Sequence, residues 1–499
     1  MTLITALPTE ILQLICDLLD KRGLLNALRT CQHFSSDLLW REVAVQTAAI
    51  TTNAVATRDS LINIDTLLIH ARKVQSIKLS GPLPAKYFAI SFPHLTVLKL
   101  KVISTNDGSA ERNSEQESNW ARVIRLNPTI RDIEVLLRHN AGGQSTEIWD
   151  AISETLQRPQ RLKVWGPSNM PKFSGEVQKS FWRAVGRFEE LDYNSSVDQM
   201  TINTHNWVVL TGLQGLSYKG TTSYGYALLH LELFEKFRGL RRFSWSLNGG
   251  GFPYKEFIQC LMRSAWPLLD DLALENVYQT DTNFALVMHR LPPLKRLSLG
   301  VALFGPLCFG HLKKRQFATL RTLDLTTCEN FTSPMALEVL QGCPHLEDFM
   351  GRRISMEDLL VTSHRPWICH GLKRLGIHFD NDLAPGDALD ANKVVLEHLS
   401  RLTSLVDIDM VLDGAQGLEC SNVRACRWRL DAGLDQLKTL TQLRTIRFDD
   451  SVTYMRVEDV QWIVDHWPSL EVLQGYISLD ANIIQEANAL LNKRGIRRY

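Results

Sequence analysis

No run of about 18 apolar residues occurs in the 499-residue sequence, so it lacks the apolar helix that would span a membrane, and no membrane association is expected. Neither sign of charge dominates. Lysine plus arginine number 55 and aspartate plus glutamate 54, so the chain as a whole presents no field that attracts a polyanion, and nucleic acid is not an expected partner. Paired cysteine spacing is missing as well. The 9 cysteines are odd in number and scattered, without the paired C-x-x-C spacing of a zinc site, and a reducing compartment, cytoplasmic or nuclear, is the expectation. Met1 to Asp20 has no basic start and carries Pro8, Glu10 and Asp17 where a signal peptide stays uncharged, so no secretion is expected.

Signatures of chemistry are equally scarce. Asn248-Gly249-Gly250-Gly251 matches neither G-x-x-x-x-G-K-[ST] nor G-x-G-x-x-G and reads as a turn after a strand. Cys343-Pro344-His345, Cys369-His370 and Cys308 with His311 bring soft ligands together, but none has a second pair at zinc spacing. No metal or cofactor is expected. A catalytic cysteine would need its own domain with an acid-base neighbourhood, and the sequence leaves no room for one, so the chain is not expected to be an enzyme.

What the sequence does have is leucine, first in a dense headpiece. Leu7, Ile11, Leu14, Ile15, Leu18 and Leu19 fall at helical spacing behind Pro8, which suits the first turn of a helix. Gly23 interrupts, and Leu24, Leu28, Cys31 and Phe34 make a second seam, followed by Leu38, Leu39 and Trp40. Three helices in about 40 residues cannot bury all of this apolar surface among themselves. Two destinations stay open: a second protein, or the rest of this chain.

These residues resemble a known family. Leu7-Pro8-x-Glu10-Ile11, then Ile15, Leu18, Leu19, Asp20, Leu24, Leu28, Cys31 and finally Trp40 look like an F-box. The resemblance implies a three-helix motif over residues 1–45 that binds a Skp-type adaptor and, through it, a cullin-RING scaffold. Leu7, Pro8, Ile11, Leu12, Ile15 and Leu28 are the implied adaptor contacts. Lys21-Arg22-Gly23 departs from the family's more acidic turn, and Phe34 stands where tryptophan is frequent.

Behind a helical linker, residues 46–70, the rest of the chain repeats one pattern, L-x-x-L-x-L, with other apolar residues in leucine places. It runs from Val74-x-x-Ile77-x-Leu79 and Leu95-x-x-Leu98-x-Leu100 through Leu213-x-x-Leu216-x-Tyr218 and Leu240-x-x-Phe243-x-Trp245 to Leu443-x-x-Ile446-x-Phe448 and Leu470-x-x-Leu473. Successive hits stand mostly about 25 to 29 residues apart, the period of one strand plus one helix. Several intervening helices end at a proline just before the next strand: Pro93, Pro267, Pro292, Pro344 and Pro468. The pattern is similar to the leucine-rich repeats found behind F-boxes. The expected architecture is therefore α/β: a short three-helix F-box followed, over residues 71–499, by a leucine-rich-repeat solenoid with a curved parallel β-sheet on its concave face and helices on its convex face.

Alternation along each strand sends the residues between the leucines outward. Lys99, Lys101, Lys163, Trp165, Asp192, Asp271, Glu275, Arg374, His378, Asp409 and Tyr476 are accordingly the candidate contacts to a target protein. Three polar tracts, Ser104 to Asn119, Asp380 to Asn392 and Asp413 to Arg424, follow strands and are expected as rim loops, the first as a segment too polar to bury a core. The implied function is substrate recognition in an SCF-type ubiquitin ligase, with the repeats holding a target protein. Two rivals remain: an F-box and repeat protein that assembles partners without ubiquitin transfer, and a leucine-rich-repeat GTPase activator, for which no arginine or asparagine is singled out.

Overall fold

The computed structural model describes residues 42–46, 64–80, 83, 85–101, 110–136, 146–166, 175–194, 212–220, 235–247, 252–263, 265–301, 303–380, 385–410, 426–448 and 453–498. The expected F-box helices, with Leu7, Pro8, Ile11, Leu12, Ile15 and Leu28, lie outside the described residues. The chain divides into two compact units, residues 1–240 and 241–499.

Among its described residues the first unit holds seven parallel strands: β1 (Glu42–Gln46), β2 (Ser76–Ser80), β3 (Val97–Lys101), β4 (Asp132–Leu136), β5 (Arg161–Trp165), β6 (Glu190–Asn194) and β7 (Gly215–Gly220). Each pairs with the next in sequence, so the sheet grows by one strand per repeat. The ladder starts at Glu42, inside the span assigned to headpiece and linker. The linker span also carries the helix Ile64–His70.

Register follows the leucine pattern. Ile77, Leu98, Ile133, Leu162, Leu191 and Leu216 stand opposite one another across β2 to β7. Leu79, Leu100, Val135, Val164, Tyr193 and Tyr218 form a second column two residues on, and all twelve are buried. A one-residue slip would turn both columns to the opposite face, which is why the pattern fixes the pairing. Tyr193 and Tyr218, in leucine places, stack at 6.1 Å with an interplanar angle of 9°.

The second unit continues the scheme with β8 (Arg242–Leu247), β9 (Asp271–Val277), β10 (Arg296–Val301), β11 (Thr322–Asp324), β12 (Asp348–Ser355), β13 (Arg374–Asp380), β14 (Asp407–Asp409), β15 (Thr445–Arg447), β16 (Val472–Gln474) and β17 (Arg497–Arg498). Again every neighbour is parallel and sequential. Parallel strands need a long crossover, and helices supply most of them. Ser333–Gly342 and Val457–His466 occupy the tracts expected to be helical, with Pro344 and Pro468 two residues beyond their ends. Trp245 in a leucine place sits in an aromatic cluster, 5.6 Å from Phe252, while Phe243 lies 5.1 Å from Trp266. A larger side chain is accommodated because its neighbours are aromatic too.

Two of the polar tracts are not rim loops throughout. The helix Ala110–Leu126 begins inside the first and buries Trp120, Ala121, Val123 and Ile124 beyond it. The helix Pro385–Ser400 takes up much of the second, and its Asn392 is buried. Both tracts thus lengthen a crossover helix. The third, Asp413 to Arg424, lies outside the described residues.

Polar side chains tie successive repeats together. Asn392 Nδ2 donates to the Arg427 and Ala432 carbonyls at 2.9 and 3.2 Å, and its Oδ1 accepts from the Arg427 N–H at 2.7 Å and the Cys426 thiol at 3.1 Å. Buried Gln316 accepts from the Leu294 N–H at 2.8 Å and donates to the Pro292 carbonyl at 2.9 Å. Asp281, first residue of the helix Asp281–Arg290, instead reaches the next helix, Pro306–Gln316. Its carboxylate accepts from the Gly305, Leu307 and Cys308 N–H groups at 3.0, 2.9 and 2.9 Å. Those are donors a helix start leaves without an intrahelical partner.

Candidate functional site

The outward positions of the strands divide by their electrostatic bookkeeping. In the second unit, cations and carboxylates that alternate from one strand to the next pair across the ladder. Lys295 meets Asp270 at 2.9 Å, Arg296 meets Asp271 at 3.7 Å, and Glu347 holds both Arg321 at 2.6 Å and Lys373 at 2.7 Å. Arg374 pairs with Asp348, and Arg447 with Asp409 at 2.9 Å. Hydrogen bonds from Lys373 and Arg321 hold the Glu347 carboxyl below its ordinary pKa, whereas burial outweighs Arg296 and Arg242 and raises that of Asp271. Each exposed pair contributes about 0 to 1 kcal/mol. Among the expected target contacts, Asp271, Arg374 and Asp409 are therefore occupied by neighbouring strands.

His378 differs more sharply from expectation. It was expected as an exposed contact, yet it is only 2% exposed, with Nδ1 3.3 Å from the Met410 carbonyl oxygen and Nε2 3.1 Å from Asp380 Oδ1. The register between β12 and β13 shifts between Met350 and Arg353, giving β12 one residue more than its partner. Every residue from Leu375 to Phe379 is buried, so period-two alternation does not translate into exposure here. Burial alone would raise the Asp380 carboxyl, but the His378 hydrogen bond and the charges of His378 and Arg353 prevail and lower its pKa. Tyr476 is exposed, as expected from its place just beyond β16.

The first unit gives the opposite picture. Lys78, Lys99, Lys101, Lys163 and Lys219 all occupy outward positions, and none makes an ion pair or hydrogen bond among the described residues. Lys78 stands directly opposite Lys99, and Lys99 and Lys163 flank Glu134 on either side. Asp192 is held by Arg161 at 3.6 Å, and Arg161 also reaches Glu190 at 4.0 Å. Burial raises the pKa of Asp132 at the start of β4. At the far end of the strands, Lys101, Leu136, Trp165 and Asn194 line up in register, with Leu136 and Trp165 half-buried side by side. Lys99, Lys101, Lys163, Trp165 and Asp192 are thus brought together on one sheet face.

Glu275 joins a polar cavity of about 260 Å³ at the carboxyl ends of β9, β10 and β11. Glu275, Asp324 and Glu329 line it together with Asn276 and exposed Tyr278. Asp324 Oδ1 accepts from the Thr326 N–H and hydroxyl at 3.1 and 2.8 Å, which fixes its orientation. Asn276 adopts φ +59°, in the left-handed region where asparagine is among the more tolerated residues. Asn276 and Tyr278 were not singled out from sequence; the signal that would have found them is their position just past the leucine pair of β9.

Among the described residues, five cysteines are buried with raised thiols rather than activated. Cys308, Cys328, Cys343, Cys369 and Cys426 are buried, and burial pushes the thiols of Cys328, Cys369 and Cys426 up to about 12, with Cys308 and Cys343 raised further. Among the described residues no three His, Cys, Asp or Glu side chains are grouped to hold a metal ion, and no helix is long and apolar enough to cross a membrane.

Together these features define an α/β repeat protein whose parallel strands present polar faces to solvent. No protein-family model matches the chain, and no curated protein matches it. Among solved structures, it is similar to a chain of the crystal structure of the Rad7 and Elc1 complex in yeast, with a TM-score of 0.38 and 12% sequence identity over 63% of this chain and 78% of that one.

Proposed function

We propose that this chain is the substrate-recognition subunit of an SCF-type ubiquitin ligase. Residues 1–45 bind a Skp-type adaptor and, through it, a cullin-RING scaffold, while the strand faces hold a target protein. The single observation that carries the second half is the unit 1 sheet face, where lysines and Trp165 stand clear of internal pairing. The first half is supported by the F-box-like run from Leu7 to Trp40. In this reading the chain performs no chemistry. Its contribution to catalysis is proximity, holding a target lysine near the charged conjugating enzyme.

Reconstitution tests the reading. Full-length chain, adaptor, cullin-RING and conjugating enzyme are combined with proteins captured from lysate by the repeats, and ubiquitin transfer is scored. Transfer to a captured protein that depends on this chain is the expected result. Adaptor binding with no transfer to any captured protein would favour the rival assembly role.

A further inference from the structure

We infer that the unit 1 sheet face docks an extended acidic segment of a partner protein, anchored by an apolar side chain on Leu136 and Trp165. The inference rests on the target-binding reading above and specifies its chemistry.

Charge supplies the first part of the argument. Lys78 and Lys99 are opposed on adjacent strands, an arrangement that destabilises a sheet unless a counter-charge intervenes. The nearest carboxylate, Glu134, lies across β3 and is shared by Lys99 and Lys163, so none stands directly opposite Lys78, and Lys78, Lys101 and Lys219 make no ion pair among the described residues. The nearest carboxylates do not compensate, because Asp192 is engaged by Arg161 and only Glu134 stands between Lys99 and Lys163. In the second unit the position that corresponds to Lys78, Lys99 and Lys163 carries a single cation, Arg447, and it is paired with Asp409 at 2.9 Å, so a column of unpaired lysines is not a general feature of these repeats.

Apolar surface supplies the second part. Leu136 and Trp165 are neighbours at the strand ends, half-buried, with Lys101 beside Leu136. A tryptophan set among polar groups is a common anchor of protein interfaces. A nucleic-acid backbone fits the face less well. Asp132, Glu134, Asp192 and Glu190 lie on the same face, on β4 and β6, and would repel a continuous row of phosphates. A peptide can place its carboxylates against the lysines and leave the acidic positions untouched.

Fluorescence anisotropy on the full-length chain tests this with a labelled peptide, Glu-Glu-Leu-Glu-Glu-Phe-Glu-Glu. Controls are the same peptide with lysine for glutamate and a labelled single-stranded DNA. The acidic peptide is expected to bind, more weakly as salt rises from about 50 to about 500 mM. Lys99→Glu, Lys101→Glu and Lys163→Glu together should raise Kd about tenfold or more, and Trp165→Ala by about tenfold. Lys313→Glu, on a helix of the second unit, should leave Kd unchanged. Should the triple variant fail to fold by circular dichroism, Lys99→Gln with Lys163→Gln gives the same comparison under a milder change. Equal affinity for the lysine peptide, tighter binding of the DNA, or indifference to these face variants would overturn the inference. Adaptor capture is measured on the same samples. Loss of adaptor binding with peptide binding intact would sink the ligase reading and leave this one standing.

Discussion

Replacing Asp281 by alanine removes one carboxylate that accepts three backbone N–H bonds at the start of the neighbouring helix. An ordinary N-cap is worth about 0.5 to 2 kcal/mol, and a hydrogen bond to a charged group about 1.5 to 3 kcal/mol. Asp281 is only partly buried, so water replaces some of what is lost, and about 2 kcal/mol is the expected cost. Repeat arrays transmit stability mainly to nearest neighbours, so the loss should appear locally. Hydrogen exchange read on the amides of Pro306–Gln316 should quicken about 30-fold, since each 1.4 kcal/mol is a factor of ten. The three N–H bonds and the Cys308 thiol outweigh the opposing effect of burial and lower the Asp281 pKa below its ordinary value. A carboxyl depressed on folding contributes stability that is fully present above its unfolded pKa, about 3.9, and lost as pH falls through the folded value. The gap between wild type and Asp281→Ala should therefore hold near neutrality and narrow below about pH 4. A gap unchanged down to about pH 3, or none at neutral pH, would refute the cap.

Two further perturbations probe the core. Asn392→Leu keeps the branching and heavy-atom count but leaves the Arg427 N–H without its partner and removes the donors to two carbonyls; chemical unfolding should show a loss of about 2 to 4 kcal/mol, and an unchanged midpoint would mean that water replaces the side chain. Trp245→Leu restores the commoner residue of the repeat yet should destabilise by about 1 to 3 kcal/mol, because Phe252 and Phe257 pack against the indole; a variant as stable as wild type would show that these aromatics close over the space.

Much of the fold was legible because the leucine pattern and the strand register are the same information. Phe243, Leu272, Leu297, Leu323, Phe349, Leu375, Ile408, Ile446 and Leu473 each occupy the middle apolar place of an L-x-x-L-x-L match, and they stand opposite one another from β8 to β16. Strand β1 carried a signal that went unused, since Val43 and Val45 alternate as Ile77 and Leu79 do opposite them. Exposure was harder to read than direction. His378 depends on a bulge in the strand beside it, which nothing in its own strand announces. Ion pairing depends on a partner one repeat away, so Asp271 or Arg374 viewed alone resembles a free contact residue. The buried roles of Gln316 and Asn392 have no signal in their own segments, because the backbone groups they satisfy are brought near only by the packed repeats.

The most direct test of the account is a titration of the purified full-length chain with a Skp-type adaptor, wild type against the Leu7→Ala, Pro8→Ala double variant. Saturable one-to-one binding that the double variant weakens about 100-fold, with the repeat array equally resistant to unfolding in both, is the predicted result. Equal adaptor affinity of the two proteins, or no binding by the wild type, would contradict it.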